Sequence, residues 1–161
     1  MPKIPSVTKL QTNYPSGTVD QIAKLVGGEV EKNLLNAKFT SYKDTCAIRV
    51  SRALNYGGDP IPYIGSIDNP YVKGKLRANK GSDDKRYIYS TYDMRVYLNV
   101  RYGYGKKFKS TVTATDLAGV KGIIAFGFLH LDIWDGTGCS GHCYFSDSRI
   151  ANDNIYVWET D

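Results

Sequence analysis

The segment from Gly122 to Trp134 constrains this chain more than any other. Its centre, Ile123 to Leu131, is the longest apolar stretch in the sequence, yet it has only about half the length that a bilayer-spanning helix needs. It therefore has to be covered by the chain's own side chains, and no membrane insertion is expected. Gly122 to Phe128 reads as a buried strand and Leu129 to Trp134 as a second. Asp135-Gly136 reads as the hairpin turn and Cys143 to Phe145 as the returning strand. Ile155 to Trp158 adds a short terminal strand.

Upstream the pattern is helical. Val19 to Leu35 places Ile22, Leu25, Val26, Val30 and Leu34 on one face, with Ser16 or Thr18 as N-cap. Gly27-Gly28 inside that run marks a break or a close approach of backbones. Asp44-Thr45 reads as the cap of a helix from Cys46 to Leu54, in which Cys46, Val50 and Leu54 share a face. Asn69 to Lys85 reads as irregular. Thr91 to Tyr102 fits a third helix, although the alternation from Met94 to Leu98 also fits a strand. Helices first and antiparallel strands last make an α+β domain, and 161 residues form a single unit, 1–161.

With 42% hydrophobic and 23% charged residues, disorder and fibrous repeats are excluded. The start of the chain, Met1 to Ser6, lacks an apolar signal core, so no Sec-type leader is expected. A net charge of +5 points to an anionic partner. Nucleic acid is not expected to be that partner. The densest basic cluster, Lys73 to Lys85, is interrupted by Gly74, Gly81, Asp83 and Asp84 and reads as a solvated loop.

Three cysteines leave one over from any pair. Cys139 and Cys143 are close enough for a small disulfide loop in an oxidising compartment. A metal site from Cys139, His142 and Cys143 is the rival, and it lacks a second pair at zinc spacing. Cys46 is then a candidate nucleophile. The first turn of a helix favours a thiolate and offers amides to an oxyanion. The competing reading is a small buried hydrophobe. Only His130 and His142 could partner it. His130 stands in an apolar strand, with Asp132 two residues on and hence on the same face. A helix-borne Cys followed by a strand-borne His is the order of papain-like hydrolases.

The segment Thr45-Cys46-Ala47-Ile48-Arg49-Val50-Ser51-Arg52-Ala53-Leu54-Asn55, with Gly57-Gly58 and Ile61-Pro62 after it, resembles the nucleophile segment of the fourth family of type VI secretion amidase effectors. Gly27 to Val30 is similar to the helix that precedes it in that family. Lys121 to Phe126, His130-Leu131-Asp132-Ile133-Trp134-Asp135-Gly136 and the Cys139/Cys143 pair resemble the histidine segment. The resemblance implies a papain-like NlpC-type fold, with N-terminal helices carrying the nucleophile packed on a C-terminal antiparallel sheet. It implies an antibacterial amidase injected by a contact-dependent machine into a neighbour's periplasm. There it would cut the amide between D-glutamate and meso-diaminopimelate in peptidoglycan stem peptides. It further implies a cognate periplasmic immunity protein, the type VI secretion apparatus as carrier, and no metal or organic cofactor.

Carried over, Cys46 is the nucleophile and His130 the general base. The family's usual Asp falls at Gly141. A turn at Asp135-Gly136 would put residue 141 opposite His130, so the register agrees and only the side chain is missing. His142 is the expected third member and Asp147 its rival. Asp132 is expected to orient the imidazole poorly from its own strand, and water or a backbone carbonyl is the remaining option. Other acyl transfers on the same constellation, such as deamidation or transpeptidation, stay open, as does a non-enzymatic basic cell-wall or nucleic-acid binding module in which Cys46 is structural.

Overall fold

Helices begin in this chain where a side chain can satisfy the first-turn amides. In the computed structural model, which describes residues 1–36 and 45–160, α1 (Val7–Asn13) starts at Ser6, whose hydroxyl accepts from Lys9 N. Sequence periodicity did not reveal α1, because it is short and only Val7 and Leu10 are buried. Helix α2 (Val19–Val26) opens on a capping box between Thr18 and Gln21. The glycine pair is both a break and a close approach. Gly27 and Gly28 have φ of 68° and 59°, which separates α2 from α3 (Gly28–Leu34). A Cβ on Gly28 would lie 2.8 Å from Lys80 O. Leu25 departs from the expected buried face and is 48% exposed.

Helix α4 (Cys46–Gly57) runs through the core, with Cys46, Val50 and Leu54 all buried along one face. Of its expected cap, Asp44 lies outside the described residues. Thr45 occupies the N-cap position, but its hydroxyl accepts from Arg49 Nε instead of capping the turn. Strands β1 (Asn79–Lys80) and β2 (Arg86–Tyr87) form a small hairpin whose first strand lies within the segment read as irregular and whose second directly follows it. Thr91 to Tyr102 is helical (α5), capped by Ser90.

The remaining strands, β3 (Lys106–Lys109), β4 (Gly122–Phe126), β5 (His130–Trp134) and β6 (Asn154–Glu159), make an antiparallel sheet in the order β3-β6-β4-β5. Every residue of β4 is buried, because both faces of the sheet are covered. Ile123, Ala125, Leu131 and Ile133 pack with α4 residues. Ile124, Phe126 and Trp134 pack on the other side against Leu117, Ile150 and the disulfide segment. The architecture is α+β, with helix α4 laid against an antiparallel sheet of which β5 is an edge strand. No described helix is long and apolar enough to cross a membrane.

The hairpin after β5 corrects two expectations. Residues Asp135 to Gly138 form the turn, closed by the bridge between Trp134 and Cys139. Asp135 Oδ1 accepts from the Thr137 and Gly138 amides and from the Thr137 hydroxyl, each at 2.8 Å, and this side-chain turn admits the longer loop. That register sets Gly141 against Asp132, not against His130. The expected strand from Cys143 to Phe145 does not form. Cys139 and Cys143 are disulfide-bonded with Cα atoms 5.5 Å apart, whereas an extended chain of that length spans about 13 Å.

Candidate active site

A cleft of about 580 Å³ opens where the first turn of α4 meets the edge strand β5, and Cys46, His130 and His142 all line it. Cys46 is not disulfide-bonded and is 3% exposed. It holds the first position of α4, so the amides of the helix's N-terminal turn and the positive end of its dipole lie at the thiol. The cleft is completed by Tyr14, Thr45, Arg49, Leu129, Gly141, Tyr144 and Arg149.

His130 opens β5, and its side chain is 13% exposed. Its Nε2 lies 2.7 Å from Asp132 Oδ2. One flank of the ring meets Tyr144, with centroids 4.9 Å apart, and Phe126 stacks at 6.4 Å. Asp132 is fully buried. It also accepts from the amides of Ile133, Gly141 and His142, at 2.8, 2.9 and 2.9 Å.

The expected third group, His142, contributes its backbone amide to this network, while its ring packs edge-on against Tyr144. Asp147 does not line the cleft. Its carboxylate caps the short 3-10 turn at Ser148–Ile150 and holds Arg149 at 2.8 and 3.0 Å, and these contacts keep it at about 2, well below the usual carboxylate range. The expectation that Asp132 is badly placed fails for a geometric reason. Residues two apart on a strand project to one side, and His130 stands at the strand's first position, where its ring can fold back over the carboxylate.

Four cleft residues had not been assigned to the site from the sequence. Tyr14 follows the unrecognised helix α1, and Leu129 belongs to the β4–β5 turn. Tyr144 and Arg149 arrive through the irregular segment after the disulfide, where no periodicity announces them. Arg149 stacks over the Tyr144 ring at 5.5 Å. The Arg49 guanidinium spans from Thr45 Oγ1 to the carbonyl oxygens of Pro15 and Gly17, fixing the α1–α2 connection beside the cleft. All three of these acceptors are neutral. No cluster of His, Cys, Asp and Glu suited to a metal ion occurs among the described residues.

An α+β sheet with a helix-borne thiol and a strand-borne imidazole on one cleft defines the papain-like class. Residues 42–158 match the family model "Type VI secretion system (T6SS), amidase effector protein 4", Tae4. The chain belongs to the Tae4 family of type VI secretion amidase effectors. Among solved structures it is similar to Tae4 of Enterobacter cloacae in its effector–immunity complex with Tai4. The identity there is 29% and the TM-score 0.78, over 98% of this chain and 99% of that one. It is also similar to Tae4 of Salmonella typhimurium bound to the E. cloacae immunity protein Tai4, at 25% identity and TM-score 0.79 over the same shares. Comparison with curated protein sequences yields no match.

Proposed function

We propose that this chain is an antibacterial peptidoglycan amidase, a DL-endopeptidase that hydrolyses the D-glutamyl–meso-diaminopimelate amide of stem peptides through a cysteine nucleophile. The observation that carries this reading is the meeting of Cys46 and His130 on one cleft in a member of an amidase family. The Cys46 thiolate attacks the γ-glutamyl carbonyl carbon, and amides at the start of α4 stabilise the oxyanion. As the carbon–nitrogen bond breaks, His130 protonates the departing amine. It then takes a proton from water, whose oxygen attacks the thioester and frees the glutamyl carboxylate and the thiol.

The charge of the cleft supports an acidic peptide as substrate. Arg49 and two histidines line it, alongside Arg149, which is ion-paired with Asp147, and no carboxylate side chain lines it among the described residues. Stem peptides carry free carboxylates that such a lining attracts. By the same family likeness the partners are a cognate periplasmic immunity protein and the type VI secretion apparatus. The site of action is the periplasm of the recipient cell, where a disulfide persists.

The test is mass spectrometry of purified muropeptides after incubation with the wild-type chain and with His130→Ala. The expected products are a fragment ending in D-glutamate and one beginning with diaminopimelate, from the wild type alone. Cleavage at another bond, or equal cleavage by both proteins, contradicts the reading.

A further inference from the structure

We propose that Asp132 is the positioning residue of this site, holding the His130 ring so that Nδ1, and not Nε2, exchanges the proton with Cys46. The inference rests on the cysteine-hydrolase reading above, and it names which atom does the work and what fixes it. The role does not pass through residue 141, which carries no side chain, nor through His142 or Asp147, whose side chains are engaged elsewhere.

The argument is an inventory of donors. An ionised carboxylate has about four acceptor positions and no donor. Asp132 receives the amides of Ile133 and Gly141 on Oδ1, and the amide of His142 together with His130 Nε2 on Oδ2. All four positions are therefore filled. Three of these donors are backbone N–H groups, which cannot accept a proton from the acid. A carboxyl proton at those three contacts would face an N–H already pointed at it, and at the fourth it would face an imidazole, intrinsically the stronger base. The carboxylate is thus the acceptor at every contact, and His130 Nε2 carries its hydrogen toward Oδ2. In the neutral ring Nδ1 then holds the lone pair and is the general base.

Residue 141 explains why the carboxylate comes from the strand. A Cβ at Gly141 would lie 2.7 Å from Asp132 Oδ2 and 2.8 Å from the Tyr14 hydroxyl. The space above the hairpin holds one carboxylate, and Asp132 fills it. The backbone of Gly141 lies outside the left-handed region, so its lack of a side chain answers a spatial demand and not a conformational one. A carboxylate mounted at 141 could reach the same place if the one at 132 were removed.

The experiment compares kcat and KM on purified stem peptide for the wild type, Asp132→Asn, and the double variant Asp132→Ala with Gly141→Asp, with a melting curve for each. Asp132→Asn keeps the shape and an acceptor oxygen but can present the wrong group to Nε2. The expected result is a fall in kcat of about 100-fold or more, with KM changed by less than about threefold. The double variant is expected to regain at least about tenfold of that loss, which a merely structural role for Asp132 would not produce. A folded Asp132→Asn enzyme that keeps wild-type kcat overturns the proposal. Should Asp132→Asn not fold, the double variant decides: folded and active supports the proposal, folded and inactive overturns it. Absence of hydrolysis by the wild type sinks the amidase reading itself, an outcome distinct from an active wild type whose Asp132→Asn variant is equally active.

Discussion

The two halves of the cleft are held by different physics. The thiol half is a helix end set in apolar packing. Cys46, Val50 and Leu54 lie in one core cluster with Ile123, Leu131 and Ile133 of the sheet, and all are 3% exposed or less. The imidazole half is an edge strand held by polar and covalent ties. These are the hydrogen bonds to Asp132, the Asp135 turn and the Cys139–Cys143 bridge. Apolar burial fixes where the backbone of the thiol sits, while directional bonds fix which way the imidazole ring points. Damage to the first should appear as lost stability, and damage to the second as lost turnover in a protein that still folds.

The sharpest way to break that contrast is Leu54→Ala, deep in the thiol half. It leaves a cavity on the buried face of α4 and should lower the unfolding free energy by about 3 kcal/mol. The rate per folded molecule should stay within about twofold of the wild type. Urea titration alongside an activity assay on the folded fraction checks both numbers.

Opening the disulfide tests the other half. Cys139→Ser with Cys143→Ser removes a cross-link whose small loop is worth about 2 kcal/mol on chain-entropy grounds. The same loop presents the Gly141 and His142 amides to Asp132, so turnover should fall by about tenfold even where melting shows the chain fully folded. Treatment of the wild type with a dithiol reductant should reproduce the loss, and reoxidation should reverse it. Equal activity with the bridge open would mean that the loop is a stability element alone.

The smallest expected effect concerns pH. The Gly138 and Thr137 amides and the Thr137 hydroxyl bonded to Asp135 hold its carboxyl down at about 2. Because this folded value lies below the unfolded one of about 3.9, the contribution is complete above the unfolded value and drains away as pH falls through about 2. Melting temperatures recorded between pH 5 and pH 2 should therefore fall less steeply for Asp135→Asn than for the wild type. The residue is only partly buried and water screens the carboxylate, so a shift of a few degrees at most is expected.

The same division explains what was legible in the sequence. Apolar periodicity marks α4, β4 and β5, because burial of Val50, Leu54, Ile123 and Ile133 is a property of spacing. It also set Cys46 at a helix start and His130 on a strand. The polar half was harder to read. The side-chain turn at Asp135 lengthens the hairpin loop by two residues over the Asp135-Gly136 turn, moving Gly141 from His130 to Asp132. From the sequence alone Asp132 looked too close to His130 along the chain to serve it. Two of the three amides that hold it come from residues nine and ten positions later, and local spacing cannot reveal them. Tyr144 and Arg149 stayed hidden for a related reason, since turns beyond the disulfide carry them to the cleft.

The central claim is that Cys46 performs the chemistry and that the cleft binds an acidic stem peptide. The most direct measurement is hydrolysis and binding of one purified stem peptide by Cys46→Ala beside the wild type. The account predicts a loss of hydrolysis of about 1,000-fold or more, with the affinity for the peptide retained within a few-fold. Hydrolysis by Cys46→Ala at the wild-type rate would contradict it, because the thiol at the head of α4 would then be packing and the reaction would belong to another group.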